Sequence, residues 1–409
     1  MAESAFLAID GGEVITPIET HRAACVLIQG DKIVAVGDRR KIGVPKSARV
    51  ISARGKRVIP GLIDIHIHGF AGSDCLGGVE HVLHVRRKLA EYGVTGFLPT
   101  LFRSKRDSEE DPVQCLSAVM AAARAPDGGA QVLGVHLEGP YFNPSYGAFS
   151  EQNAPRLPVA KTQVRMVRAA KGVVRIVALS PEVKGAGRFI RRLTAHGIVA
   201  AIGHSGATER QLREAVAAGG SHVTHLFNAM RQRTQAEIGV EGTSLSDLVL
   251  TDDRLTAEVI ADGIHVCPVL LKLLVRAKRL SDIILVTDST MAGGLPPGKY
   301  RRLDGNEIRV SGGACRTVRE NGLAGSVLTL NRAVLNMTRL AGVPFASAVQ
   351  MATLNPARRI GLERRKGAIE PGKDADLCVV DEMMQVHMTM IKGRIVYSRG
   401  TKPQPGGRM

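Results

Sequence analysis

Eight short apolar runs, separated by stretches of a different periodicity, restrict this chain more than any other feature: residues 61–66, 95–101, 132–137, 174–179, 198–202, 222–226, 256–260 and 283–286. Between them, segments 81–92, 113–124, 186–195, 208–218 and 268–277 place apolar residues at the helical period of 3.6. Apolar strands of this kind need both faces covered, and eight strand–helix units in series predict a parallel (β/α)8 TIM barrel. A doubly wound open sheet is the competing topology, but no Gly-x-Gly-x-x-Gly turn follows the first run.

The two ends read differently. Residues 1–58 and 367–409 hold short strand-like runs, among them 5–9, 24–28, 32–36, 376–380, 386–390 and 394–397, with turns at Gly30-Asp31 and Gly37-Asp38. Isolated strand pairs are marginal in water. The ends are therefore expected to combine into one small β-sandwich domain beside a barrel spanning residues 59–366.

Composition removes several classes of function. With 409 residues, 44% hydrophobic and 23% charged, the chain is neither disordered nor fibrous. No apolar run approaches a membrane span, and the first residues lack a basic region followed by a long apolar one. A cytoplasmic location without membrane contact is the expectation. The six cysteines form no C-x-x-C pair, which points to reduced thiols. A net charge of +17 favours an anionic partner. Its carriers include Arg86-Arg87-Lys88, Arg191-Arg192, Arg301-Arg302, Arg358-Arg359 and Arg364-Arg365-Lys366, read here as solvated faces. Nine Phe, five Tyr and no Trp leave little surface for stacking bases. Nucleic-acid binding therefore ranks behind catalysis by a small-molecule enzyme.

Barrel chemistry sits at the C-terminal ends of the strands, and polar residues gather there. The first run ends in Asp64-Ile65-His66-Ile67-His68, and residues two apart face one side of a strand, so His66 and His68 can grip one ion. Others end in His136-Leu137-Glu138, Gly203-His204-Ser205, Thr224-His225-Leu226 and Thr287-Asp288-Ser289, and Asp262-Gly263-Ile264-His265 follows the seventh. One such histidine alone reads as a packed core residue. Several converging with carboxylates suit a divalent transition metal, zinc or iron among them. His21, His81, His84, His196 and His387 read as structural, and His136 and His222 as supporting at most.

Pro60 to Gly69 resembles the opening signature of the amidohydrolase superfamily, and Asn355-Pro356-Ala357 with Gly367 to Leu377 its closing one. Within it, His136 to Pro140, Thr224 to Met230, Ala261 to His265 and Leu323-Ala324-Gly325-Ser326 are similar to the N-acetylglucosamine-6-phosphate deacetylase branch, in order along the chain. The resemblance implies that Glu138, His204 and His225 hold one metal ion. The retained His66 and His68 imply a second ion, bridged by Glu138. Asp288 is then the acid–base: it takes a proton from an activated water and passes it to the departing amine. Ala148, Asn228, Ala229, His265 and the Leu323–Ser326 turn are implied in binding a phosphorylated amino sugar. The branch also implies a homodimer.

Two positions depart from the branch's pattern. Phe149 stands where many members carry His, and Ala236-Glu237-Ile238-Gly239 replaces a common Arg-Glu-Pro-Gly. Arg231 and Arg233 are the neighbouring cations that could supply the missing phosphate contact. The alternative activity is hydrolysis of a different, unphosphorylated N-acyl amine. A non-catalytic scaffold or nucleic-acid binder is the third reading.

Overall fold

The computed structural model describes residues 6–16, 19–101, 112–126, 128–139, 141–147, 172–233, 235–303, 305–319 and 321–400. All eight expected barrel strands form: Leu62–Ile67, Val94–Leu101, Val135–Glu138, Val174–Leu179, Val199–Ile202, His222–Val223, Thr256–Ile260 and Ile283–Val286. Neighbours pair in parallel in that sequence around the barrel, with Gln131–Val132 adding a short pairing to the second strand. A bridge between Ile67 and Ser289 joins the eighth strand back to the first.

Five of the helices match the periodic segments, while Leu245–Leu250 and Leu330–Ala341 lie outside them. Val79–Ala90, Pro112–Arg124, Ala186–Ala195, Glu209–Ala217, Leu245–Leu250, Pro268–Ala277 and Leu330–Ala341 follow strands one, two, four, five, six, seven and eight. One apolar core contains strand residues such as Ile63, Ile65, Val177, Ile260 and Leu285 together with Leu89, Phe189 and Val334 from the helices. Burying each such side chain contributes about 1.5–3 kcal/mol relative to exposure.

Along the first strand the alternate positions carry Asp64 and His66, both fully buried. Asp64 meets Thr287, just past the end of the neighbouring eighth strand, and His66 meets Glu258 within the seventh. The upper barrel is thus filled with polar groups instead of the branched apolar layers usual in this architecture.

Both chain ends contribute to a separate sheet. Its order is Arg394–Ser398, Val386–Ile391, Leu377–Val380, Arg57–Pro60, Phe6–Ile15, Thr20–Gln29 and Lys32–Gly37, with Arg49–Ser52 also pairing with Phe6–Ile15. Ile9, Val26 and Ile28 share one core with Leu377, Val379 and Met390, so neither terminus has a complete core alone. Strand Arg57–Pro60 runs into the first barrel strand through Gly61, where a Cβ would lie 2.2 Å from the Thr95 side chain. Only glycine allows that passage.

Ion pairs fasten the sheet to the barrel. Asp374 has a fully buried side chain that receives Lys32 at 2.6 Å, Lys366 at 3.1 Å and Arg365 at 3.2 Å. Gln131 donates to Asp376 at 3.1 Å from beside the third barrel strand. Lys366, read from sequence as part of a solvated run, is therefore buried. Arg86 is buried too: its guanidinium donates to the carbonyls of Ala122, Ala125 and Ala130, satisfying groups at the end of the second helix. Among the described residues, no helix is long and apolar enough to cross a membrane.

Candidate active site

Three of the sequence-predicted site residues occupy the same local position: His204, His225 and Asp288 each lie two residues beyond the end of their strand. Each takes a left-handed backbone, with φ of 48°, 27° and 47°. For residues other than glycine this costs on the order of 1–3 kcal/mol each. The reversal ends the strand and leaves the side chain in the barrel mouth. Surrounding bonds hold the strained turns in place. Asp288 N–H donates to the carbonyl of His66 at 2.9 Å, Leu226 N–H to that of Glu258 at 2.8 Å, and Ser180 Oγ–H to that of His204 at 2.6 Å.

Glu138, the last residue of the third strand, is the hub. Its Oε1 lies 3.0 Å from His204 Nε2 and 3.1 Å from His225 Nε2, and its Oε2 lies 3.1 Å from His68 Nε2. On the other side, His68 Nε2 is 3.2 Å and His66 Nε2 3.5 Å from Asp288 Oδ1. In front of a fully buried group, His66–His136–Glu258, stand two donor groups at the mouth, Glu138–His204–His225 and His66–His68–Asp288, each with ligand atoms within 4.8 Å of one another. One carboxylate faces both.

The donor set fits divalent ions. His204 Nε2 and His225 Nε2 stand 3.2 Å apart, close to the edge of about 3.3 Å set by tetrahedral metal–nitrogen bonds of about 2.0–2.1 Å. His66 Nε2 is buried without a hydrogen-bond partner, as expected of a ligand atom. Burial pushes the Glu138 carboxyl up, but the His66 charge and the bonds from His204 and His225 outweigh it and hold the group well below the usual range. Asp288 balances in the same direction, burial being offset by His68 and His66. Both carboxyls are therefore anionic.

Behind these residues stands a further layer that periodicity does not reveal. Glu258, inside the seventh strand, accepts from His66 Nδ1 at 2.8 Å and from His222 Nε2 at 3.0 Å. Asp64 accepts from the Thr287 hydroxyl at 2.6 Å, and burial pushes its carboxyl up to about 7. His136 Nδ1–H donates to the Ile65 carbonyl, 3.0 Å away, and burial lowers its imidazole to about 3, so it is neutral. The sequence signal for Glu258 and Asp64 is a lone acid within an apolar strand.

The expected substrate residues flank this centre. Asn228 Nδ2 donates to the His265 carbonyl at 3.0 Å, and its buried Oδ1 has no hydrogen-bond partner. His265 Nδ1 is 2.6 Å from Asp262 Oδ2, which orients the ring. Ala229 has φ of 52°, and its carbonyl accepts from Ser205 N–H at 3.1 Å. The Leu323–Ser326 turn packs on the eighth strand's end. Gly325 has φ of +61°, and a Cβ there would lie 2.4 Å from Thr290 and 3.0 Å from the Asp288 carbonyl.

Several backbone donors expected for phosphate are already engaged. Ser326 N–H bonds the Asp288 carbonyl, Ala324 N–H that of Cys315, and Asn228 N–H that of His225. Their role here is to shape the turns. The candidate cations are also engaged: Arg233 forms a fork with Asp247 at 2.7 and 2.8 Å, and Arg231 donates to the carbonyls of Ala207 and Thr243. Ala148 and Phe149 lie outside the described residues, as does the side chain of Ala236.

Residues 57–396 match the amidohydrolase family. An N-acetylglucosamine-6-phosphate deacetylase from Bacillus subtilis is 33% identical over 97% of this chain and 98% of its own length. An N-acetylgalactosamine-6-phosphate deacetylase from Escherichia coli O157:H7 is 36% identical, covering 86% of this chain and 90% of its own. The crystal structure of N-acetylglucosamine-6-phosphate deacetylase from Pasteurella multocida superposes with a TM-score of 0.86 at 25% identity, over 95% of this chain and 99% of that one.

Proposed function

Because the chain belongs to the amidohydrolase family, we propose that it hydrolyses the acetamide of N-acetylglucosamine 6-phosphate to glucosamine 6-phosphate and acetate. The observation that carries the reading is the division of Glu138 between His204 and His225 on one oxygen and His68 on the other. On this reading Glu138, His204 and His225 hold one ion, His66 and His68 hold a second with Asp288, and both are zinc or iron. Bound there, the ions supply a water of lowered pKa and a Lewis acid for the acetamide carbonyl.

The chain's own residues do the rest. Asp288, anionic and 3.2 Å from His68 Nε2, accepts the proton of the attacking water and returns it to the departing amine. Asn228 Oδ1, left without a partner, offers an acceptor to a sugar hydroxyl. His265, steadied by Asp262, offers its other ring nitrogen to the substrate. Ala229 and the Leu323–Ser326 turn complete the wall. The six free cysteines suit a reducing cytoplasm, and we take the enzyme to act there as a homodimer.

An unphosphorylated N-acyl sugar is the second reading, favoured by the engagement of Arg231 and Arg233 with other groups. A panel of N-acetylglucosamine 6-phosphate, N-acetylgalactosamine 6-phosphate and plain N-acetylglucosamine, assayed by acetate release, separates the readings. The first requires a higher kcat/KM for a phosphorylated sugar. Equal values with and without phosphate favour the second.

A further inference from the structure

We propose that Glu258 is the positioning residue of this centre, holding one ligand of each ion in the orientation that binds metal. The inference rests on the two-ion reading above. Glu258 lies in the middle of the strand Thr256–Ile260 and has no exposed surface. Neither Lys nor Arg hydrogen-bonds it among the described residues. Its acceptors are instead divided among the groups that surround the ions.

Oε2 receives His66 Nδ1 at 2.8 Å and the backbone N–H of His225 at 3.3 Å, while Oε1 receives His222 Nε2 at 3.0 Å. An ionised carboxylate only accepts, so His66 must carry its proton on Nδ1. With a metal bound, the ligating lone pair is then that of Nε2, the atom that faces Glu138 and Asp288 and has no hydrogen-bond partner. A carboxylate behind a ligating imidazole fixes its tautomer and raises its basicity.

The second effect acts on the backbone. His225 has φ of 27°, and the amides on both sides of its turn are held by this one residue. Its own N–H meets the Glu258 side chain, and Leu226 N–H meets the Glu258 carbonyl at 2.8 Å. His222 holds the opposite oxygen and is itself 2.7 Å from the Thr256 hydroxyl through Nδ1. Glu258 therefore cannot swing away from His66 without breaking the bond to His222. This accounts for a buried charge that would otherwise be costly to keep.

The test is chelator competition with zinc alone on the metal-free protein, comparing wild type with Glu258→Gln. The wild type should bind two ions. In the variant, the ion at His66 and His68 should lose affinity by about 10–100-fold, the usual effect of removing such a carboxylate. The ion at Glu138, His204 and His225 should change by far less, since Glu258 meets His225 through its backbone N–H and not through the ligating ring, whereas His66 loses the negative charge behind its imidazole. Glu258→Gln added to His66→Ala should cause no further loss. Two unchanged affinities, or two equal losses, would overturn the proposal while leaving the two-ion reading intact. A wild type that binds one zinc removes both. Should the variant not fold, 15N–1H correlation on the zinc-loaded wild type decides: a proton on His66 Nδ1 supports the proposal, and its absence overturns it.

Discussion

The backbone N–H of Asp288 donates to the carbonyl of His66 at 2.9 Å, joining the eighth barrel strand to the first at the level of the candidate metal centre. The bond that closes the barrel therefore also sets the distance between two site residues. Asp288 Oδ1 ends up 3.5 Å from His66 Nε2 and 3.2 Å from His68 Nε2. Its left-handed backbone is kept by this bond on one side and by Ser326 N–H on its carbonyl on the other, at 2.9 Å. The proposed acid–base is thus positioned by main-chain contacts that a change of side chain does not remove.

That separation of backbone from side chain makes Asp288→Asn an informative variant. Shape and hydrogen-bonded turns are retained, and the proton acceptor is lost. Turnover should fall by about 100-fold or more, the scale of general-base catalysis, with the thermal midpoint close to wild type. Near-normal turnover would remove Asp288 from the mechanism.

Asp374 gives a prediction about stability. Burial raises its carboxyl, but Lys32 and Lys366 outweigh that and leave it at about 2, below its ordinary value of 3.8. A depressed carboxylate stabilises the fold above its unfolded-state pKa, and the contribution is lost as pH falls through the folded-state value. After allowance for the partly exposed Lys32, it is worth on the order of 1–2 kcal/mol. Urea unfolding of wild type and Asp374→Asn should differ most at pH 5, with roughly half of the linked part gone at pH 3. A gap that does not narrow between those pH values would assign the whole effect to packing.

How far the sequence discloses this arrangement varies with the type of residue. The eight strands are legible from their apolar runs. Glu138, His204, His225 and Asp288 are legible because a polar residue that ends such a run falls at the barrel mouth, where the chemistry of this architecture is placed. The sixth run extends to Leu226, but its strand stops at Val223, because the turn that aims His225 breaks the extended chain. Glu258 escapes a reading by periodicity, which treats a single acid within Thr256–Ile260 as an interruption. Its meaning depends on His66 and His222, which are far off in sequence. Arg86 and Lys366 mislead for a related reason. A run of cations reads as a solvated face unless the carbonyls of Ala122 and Ala130, or the carboxylate of Asp376, are known to sit opposite.

The central claim is that this chain is a deacetylase whose activity depends on a two-ion centre built around Glu138. The most direct measurement is acetate release from N-acetylglucosamine 6-phosphate by metal-free protein reconstituted with increasing zinc or iron, with bound metal determined on the same samples. Activity should rise with metal content up to about two ions per chain. Replacing His66 and His68 together with Ala should reduce the content to one ion and lower turnover. Full activity at one ion, unchanged by that replacement, or no acetate release at any metal content, would contradict the account.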